Sequence, residues 1–121
     1  MNNEDLEKEI VEKGLTAPRV TLEDFEANIK HIEIAKHVSF NGQILRWAVI
    51  TTQNGFAVTG DPSCAASAEN DNTEIGHKIA IDNAKHKLWA LMGYALKEKL
   101  HTEGLVYRSA EGALVPDKHE R

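Results

Sequence analysis

Hydrophobic and polar residues alternate most clearly in the middle of the chain, around two Asn-Gly pairs. Asn-Gly is typical of a two-residue type I′ turn, because both central residues of that turn take a positive φ. Asn41-Gly42 and Asn54-Gly55 therefore predict a three-stranded antiparallel meander. Its strands are expected at about residues 34–40, 43–53 and 56–60.

Closing each pair as a two-residue turn fixes which residues stand opposite one another. On this register Val38 lies opposite Leu45, and Thr51 lies opposite Val58. Paired residues share a face, so the large side chains collect on one face, which we expect the helices to cover. That face would hold Ile34, Val38, Phe40, Leu45, Trp47, Val49, Phe56 and Val58. The opposite face would hold His37, Ser39, Ile44, Arg46, Ala48, Ile50, Thr52, Ala57 and Thr59.

Helical spacing of apolar residues appears on both sides of the meander. A first helix is predicted over about residues 4–13, with Gly14 in the position of a C-terminal cap. Thr21 opens a second helix, because its hydroxyl and the Asp24 carboxylate can form a capping box. This second helix is expected to end at about His31.

The widest apolar stripe follows a loop of small residues, and Asn72 or Thr73 is expected to cap the helix that carries it. This helix should run to about His101. At 1.5 Å per residue it reaches roughly 40 Å, which is longer than a three-stranded sheet needs. Part of its apolar length is therefore expected to contact something other than the sheet.

Together the elements predict an α+β fold, in which a three-stranded antiparallel meander packs against a long C-terminal helix and a shorter N-terminal helix. Residues 1–14 are assigned to an N-terminal helix that can fray. Residues 15–104 form the single domain. Residues 105–121 form a C-terminal extension, with a weak hairpin followed by a disordered tail.

Composition narrows the functional classes. The 121 residues, 41% hydrophobic and 27% charged, suit one globular domain. The net charge of -5 argues against nucleic acid as a partner, because proteins that bind phosphates normally present a basic face. No segment approaches the roughly 20 consecutive apolar residues of a membrane span. The single cysteine, Cys64, and the acidic start of the chain favour a cytoplasmic protein.

Two segments resemble a known family. The meander ends in Asn54-Gly-Phe-Ala-Val-Thr-Gly before a small-residue loop with Cys64, and the long helix opens with Glu74-Ile-Gly-His-Lys-Ile-Ala. Trp89 and the pair Gly93-Tyr94 follow in the same helix. In this order the motifs resemble a family of short tailed-bacteriophage proteins, the gene-product-forty-nine/gene-product-sixty-six family. The resemblance implies a phage or prophage origin, so the expected location is the cytoplasm of an infected or lysogenic bacterium.

The resemblance covers most of the chain from Gly14 to Leu100. The chain departs from the family pattern at Ala90 and Met92, where the family tends to carry Pro and Glu. It also has only the first Asn-Gly turn where the family usually has a longer acidic insert, and it lacks the cysteine typical of the family's central strand. The family implies no particular reaction.

No set of residues has the spacing of a catalytic or metal centre, so we expect a protein that is not an enzyme and binds no cofactor or metal. Asp82 and His86, with His77 nearby, lack further ligands at a fixed spacing and fit a solvated helix stripe. Cys64 would need a base, and nothing in the sequence joins it to His37 or His77.

Any ligand or partner is expected to bind around the loop of residues 60–72 and the start of the long helix. Free backbone amides at a helix N-terminus favour an anionic group, and small residues let a ligand approach the backbone. Arg46 and His37 would add charge if the exposed sheet face borders the loop. The acidic residues of the loop would repel an anion, so the alternative is that the loop is only a connector. The candidate binding residues are Ser63, Cys64, Ser67, Thr73, Gly76, Arg46 and His37.

The long helix also carries the candidate interface residues Trp89, Gly93 and Tyr94. A glycine inside a helix costs about 1 kcal/mol relative to alanine, so Gly76 and Gly93 each indicate either packing on the sheet or close approach of a partner. The long helix and the unprotected sheet edges favour a homo-oligomer, most simply a two-fold dimer.

Three functions remain open from the sequence. The first is a non-catalytic accessory protein that blocks or sequesters a host component, either a host protein or a small anionic, nucleotide-like defence signal. The second is an accessory protein of phage DNA metabolism that uses Arg19, Lys30, Lys36 and Arg46 as a local basic patch. The third, which the residues support least, is a small hydrolase that uses Cys64 or a His-Asp pair.

Overall fold

The computed structural model of the chain describes residues 3–14 and 17–110. An antiparallel sheet packs against a long C-terminal helix, with short helices at the N-terminal end, so the predicted α+β class is confirmed. The elements are α1 (Asn3–Glu12), α2 (Leu22–Ala27), β1 (Ile29–Val38), β2 (Ile44–Thr52), β3 (Ala57–Thr59), β4 (Ser63–Cys64), a short 3-10 turn (Ala68–Asn70) and α3 (Thr73–Ala110).

Strand β2 lies at the centre of the sheet. It pairs with β1 along one side, and with β3 and then β4 along the other. The order β1-β2-β3 is that of the predicted meander. The sequence does not predict β4, because the small residues between Gly60 and Asn72 carry little strand propensity and indicate a loop.

Both Asn-Gly turns contain three loop residues, not two. The Ser39 amide donates to the Gln43 carbonyl at 2.8 Å, which leaves residues 40–42 as the first loop. The Thr52 amide donates to the Phe56 carbonyl at 2.9 Å, which leaves residues 53–55 as the second. The turns are therefore placed correctly by the sequence, but their length is wrong.

The backbone angles explain the difference. Gly42 and Gly55 have φ of 88° and 90°, and no residue other than glycine has a positive φ in the described part of the chain. Asn41 and Asn54 thus cannot occupy the first central position of a type I′ turn. Each loop follows the common three-residue form, in which only the last residue takes the left-handed conformation.

The extra residue in each loop turns β2 over relative to its neighbours β1 and β3. A shift of one residue moves every side chain of a strand to the other side relative to its neighbour. Val38 lies opposite Ile44, and Val58 lies opposite Ile50. The face covered by α3 therefore carries Ala48 and Ile50, both fully buried. The predicted buried face is therefore right for Ile34 of β1 and Val58 of β3, which pack in or against the core, and wrong for β2. Leu45, Trp47 and Val49 lie on the other side of the sheet and are only partly buried.

The core lies between α3 and this face of the sheet. Helix α3 contributes Ala80, Ala84 and Leu88, spaced four residues apart and almost fully buried. Small side chains bring the helix close to the chain beneath it, since a Cβ on Gly60 would lie 2.3 Å from the Ala84 amide nitrogen. The buried core consists of Phe25, Ala48, Ile50, Val58, Ala80, Ala84 and Leu88.

The N-terminal helices begin and end largely as their capping residues predict. The Asp24 amide donates to the Thr21 hydroxyl at 3.0 Å, and the Thr21 amide donates to the Asp24 carboxylate at 3.1 Å, which is the predicted capping box. Gly14 follows α1 with a φ of 70°. Helix α2 ends earlier than predicted, at Ala27, because the isoleucine-rich segment that follows forms β1.

Helix α3 is longer than predicted, since it continues to Ala110 and not to about His101. Residues 105–109, which the sequence assigns to the first strand of a weak hairpin, are therefore helical. The second strand of that hairpin and the C-terminal tail lie outside the described residues. No helix in the described ranges is long and apolar enough to cross a membrane.

Candidate functional site

The strand pairing divides the predicted site residues between the two faces of the sheet. Arg46 and Ser63 lie opposite each other on the face beneath α3. Leu45 lies between His37 and Cys64 on the other face. The predicted juxtaposition of Arg46 and His37 on one exposed face is therefore wrong, and the one-residue change of register is the reason.

Beneath α3, Arg46 is held by the segment that leads into the helix. Its Nη1 and Nη2 donate to Oδ1 and Oδ2 of Asp71 at 2.7 and 2.9 Å, and Nη2 also lies 3.3 Å from the Thr73 hydroxyl. The two charged side chains are only 5% and 16% exposed. Such bidentate pairs are strong and directional, so the guanidinium is already engaged by the chain itself.

Pairing changes the pKa of both side chains so that each is more stable in its charged form. The hydrogen bonds from Arg46 hold the pKa of Asp71 below its ordinary value, and the positive charges of Arg46 and Lys36 act in the same direction. The hydrogen bond to Asp71 in turn raises the pKa of Arg46. Both groups therefore stay ionised at neutral pH.

Ser63 and Gly76 complete this polar cluster. The Ser63 hydroxyl donates to the Gly76 carbonyl at 2.8 Å. A Cβ on Gly76 would lie 3.0 Å from Nη1 of Arg46 and 3.4 Å from the Ser63 hydroxyl oxygen. Of the two alternatives for this helical glycine, close packing against the sheet is the one that the structure supports.

The helix N-terminus is likewise capped by its own chain. The Asn72 side chain accepts a hydrogen bond from the Ile75 amide at 2.9 Å, so Asn72 is the cap and not Thr73. A cavity of about 90 Å³ borders the polar cluster. Another, of about 310 Å³, lies between the Asn41-Gly42 hairpin turn and the segment that follows β4. Asp71 lines both cavities, and its carboxylate opposes binding of an anion there. Ser67 is exposed on the same loop.

The other side of the sheet, opposite α3, presents apolar side chains to solvent, and we call it the open face. Its centre is formed by Leu45, Trp47 and Val49 of β2, all partly exposed. Cys64 of β4 is also exposed there. The remaining described strand residues of the open face are His31, Glu33, Ala35, His37, Thr51, Ala57 and Thr59.

Sequence reasoning missed the open face, although β2 carries a signal for it. Apart from Arg46, residues 44–50 form a continuous apolar run. A strand with one solvated face normally alternates polar and apolar residues, whereas a continuous run indicates apolar surface on both faces. The run therefore identifies β2 as a strand with two apolar faces, of which the helices cover one.

The open face does not bring a cysteine and a histidine together. Leu45 lies between Cys64 and His37, which separates them by two strand spacings, or about 10 Å. His77 belongs to α3, on the opposite side of the sheet. Among the described residues, no group of three or more His, Cys, Asp or Glu side chains is placed to hold a metal ion.

Comparison with known proteins identifies the family of the chain. Residues 20–100 match the model of the Phage protein (N4 Gp49/phage Sf6 gene 66) family. The chain belongs to this phage protein family. No curated protein and no solved structure matches it. The matched segment contains the whole sheet, the Arg46–Asp71 pair and α3 as far as Leu100, so the family resemblance read from the sequence motifs is confirmed.

In this member of the phage family, the three candidate interface residues of α3 lie in different surroundings. Trp89 stacks on Phe25 with ring centroids 4.1 Å apart, so it belongs to the edge of the core. Tyr94 is 71% exposed. A Cβ on Gly93 would meet no atom of the described residues within 4 Å. Gly93 and Tyr94 are therefore free for an interface, whereas Trp89 is largely used by the fold.

An apolar cavity of the phage protein lies between α1 and α3. It encloses about 330 Å³ and separates the α1 residues Leu6 and Ile10 from Trp89. The Arg19 guanidinium pairs with the Glu7 carboxylate beside it and holds α1 in place. No residue of α1 is buried, so this helix packs only loosely against the edge of the core.

Proposed function

We propose that this phage accessory protein acts without catalysis, by binding a host protein on the open face and thereby blocking or sequestering it during infection. The observation that carries the proposal is the partly exposed row of Leu45, Trp47 and Val49 on a sheet whose other face is already packed. Contiguous apolar surface on a small protein commonly marks a site of protein interaction.

The composition of the open face suits a protein partner. Trp47 lies at the middle of β2, and tryptophan is the residue type that most often dominates the energy of a protein interface. Charged and titratable groups, Glu33 and His37, lie at one side of the face on β1. An apolar centre beside polar residues is the usual anatomy of such an interface.

The surroundings of Arg46 favour a protein over a nucleotide-like ligand. An anionic ligand at the predicted loop site would have to compete with Asp71 for the guanidinium, and with Asn72 for the helix amides. Binding on the open face requires no such competition, because no described element covers the partly exposed side chains of Leu45, Trp47 and Val49.

The alternative role in DNA metabolism has less support. It depends on four basic residues acting as one patch, yet Arg19 pairs with Glu7 and Arg46 pairs with Asp71. Lys30 and Lys36 of β1 remain, at opposite ends of one strand. Two separated lysines on a chain of net charge -5 are a weak site for a phosphate backbone.

The test compares two single substitutions in the full chain, each made in the phage genome with an affinity tag. Trp47→Glu places a charge at the centre of the open face. Leu91→Glu places the same charge at an exposed leucine of α3 and serves as the control. We expect a host protein to co-purify in stoichiometric amount with the wild type and the control, and at least tenfold less with Trp47→Glu.

Phage yield should follow the same order, with a deficit for Trp47→Glu alone. Circular dichroism and thermal melting of each purified variant establish that it is folded. If the folded Trp47→Glu variant retains both the host protein and the phage yield, the open face is not the binding site.

A further inference from the structure

Helix α3 extends well beyond the domain. Met92 is its last residue that packs against the core, whereas the helix continues to Ala110. Residues 93–110 span about 27 Å at 1.5 Å per residue. An isolated helix of this length is marginal in water, because most helical stability in proteins comes from packing of an apolar face.

The extension carries such a face, and we call it the α3 seam: Gly93, Leu96, Leu100 and Gly104. Successive positions are three or four residues apart, the spacing that places side chains along one side of a helix that packs on another helix. Leu100 is 36% exposed, and Leu96 is partly buried. The row continues from Trp89, the last position on this side that α1 covers.

Gly93 is the residue that the fold of a single chain does not account for. Glycine in a helix interior costs about 1 kcal/mol relative to alanine. At Gly76 that cost has a cause, since Arg46 and Ser63 occupy the space of a side chain. At Gly93 the space of a Cβ is open, with nothing within 4 Å in the described part of the chain.

We propose that a second copy of this chain packs its α3 against the α3 seam, in a two-fold helix pair whose closest approach is at Gly93. A glycine at the crossing allows two helix axes to come closer than larger side chains permit. In a two-fold dimer the same surface of each chain faces its copy, so the seam has to be complementary only to itself.

Charge is consistent with a second copy as the partner. The whole chain carries a net charge of -5, so two copies repel each other in general. Within residues 93–104, however, Lys97 and Lys99 balance Glu98 and Glu103. Two identical chains can therefore bring residues 93–104, the segment that holds the seam, together without a net like charge.

The size of the contact sets the strength of the dimer. The seam from Gly93 to Gly104 spans about 17 Å on a helix about 10 Å wide, so a contact along it belongs to the small, transient class of protein interfaces. We therefore expect dissociation in the micromolar range. The seam is separate from the open face, so each protomer of the pair keeps its open face available for the proposed host protein.

The test uses the full chain and measures mass by sedimentation equilibrium across micromolar concentrations. The wild type should approach twice the 13.4 kDa protomer mass. Leu100→Glu should weaken the dimer by about tenfold or more, because it buries a charge in the seam. Leu91→Glu is the matched control: the residue type is the same, the exposure is 44% against 36%, and nine residues of helix place it on the opposite side.

Gly93→Leu separates association from folding. Since nothing lies within 4 Å of its Cβ position, the substitution should leave the melting temperature of dilute protein unchanged or raise it, while weakening the dimer by at least about tenfold. A wild-type mass of 13.4 kDa at every concentration overturns the proposal, and so does a Gly93→Leu or Leu100→Glu variant that dimerises as well as Leu91→Glu. Trp47→Glu should dimerise like the wild type, so loss of host binding and loss of the dimer are distinguishable.

Discussion

Arg46 and Asp71 form the polar contact that ties β2 to the segment entering α3. The guanidinium lies beneath the helix with almost no exposure, and its fork is matched by both carboxylate oxygens. A sequence pattern cannot reveal such a pair, because the partners are 25 residues apart and Asp71 lies in an irregular segment. The sequence does show Arg46 inside an otherwise apolar strand. A charge that is buried in such a strand needs a partner of opposite charge.

The Asp71 carboxyl should make stability depend on acid. Its pKa is lower in the folded chain than in the unfolded chain, so its contribution is fully present above the unfolded value of about 3.9 and is lost as pH falls through the folded value. We expect Asp71→Asn to melt at a lower temperature than the wild type at neutral pH. The difference between their melting temperatures should shrink as the pH is lowered below about 4.

Thermal melts across this pH range, followed by circular dichroism, measure the difference directly. Asp61→Asn is the control, because Asp61 lies on the same stretch of chain, and among the described residues it is its backbone carbonyl, not its carboxylate, that accepts a hydrogen bond, from Asn83. A difference between Asp71→Asn and the wild type that stays constant down to the lowest pH contradicts this role of the ion pair.

At the scale of elements, the two hairpin turns show what the sequence can and cannot determine. Both Asn-Gly pairs mark a turn, and the strand order follows from them. The number of loop residues does not follow, because both loop lengths place a glycine at a position of positive φ. One additional residue per loop turns β2 over relative to β1 and β3, so the choice of which β2 side chains are buried depended on a detail that local residues leave open.

The two turns are similar in backbone but differ in side-chain bonding. Asn54 Oδ1 accepts hydrogen bonds from the Thr52 hydroxyl at 2.7 Å and from the Phe56 amide at 2.9 Å. Asn41 makes no side-chain hydrogen bond to any described residue. We therefore expect Asn54→Ala to lower the free energy of unfolding by about 1–2 kcal/mol and Asn41→Ala by less than about 0.5 kcal/mol.

Urea denaturation at fixed pH measures both values on the same scale. Asn41→Ala is the matched control, since it removes the same amide from the same position of an equivalent loop. Equal losses in the two variants would mean that asparagine acts through its backbone preference in both turns, and not through the Asn54 side chain.

At the scale of the whole molecule, α1 is the least securely attached helix. It has no buried residue, and its apolar side lies across a cavity from Trp89. Ile10 is partly buried on that side, whereas its neighbour Val11 is 65% exposed. We expect Ile10→Asp to cost about 1 kcal/mol of unfolding free energy, and Val11→Asp to have little effect.

The fluorescence of Trp89 reports this contact when Trp47 is replaced by phenylalanine. Ile10→Asp should shift the Trp89 emission to longer wavelength, because water then reaches the indole. Val11→Asp should leave it unchanged. The same emission in both variants would place α1 away from Trp89 in solution.

The overall architecture was more accessible from sequence than the candidate site. Helix caps such as Thr21 and Gly14 are local signals, and the fold class follows from the order of the elements. The open face and the buried Arg46 depend on pairing between distant residues. The unused space at Gly93 is also a property of the assembled chain, although the glycine itself was visible as an anomaly in a helix.

Side chains along the sheet side of α3 increase in size from Gly76 through Ala80 and Ala84 to Leu88 and Met92. The helix is in tightest contact at Ala84, against Gly60. Ala84 divides the helix unequally, with about 12 Å back to Gly76 and about 39 Å on to Ala110. Because the helix is so unequally divided, any change in the angle at which α3 crosses the sheet at Ala84 would displace Ala110 about three times as far as Gly76.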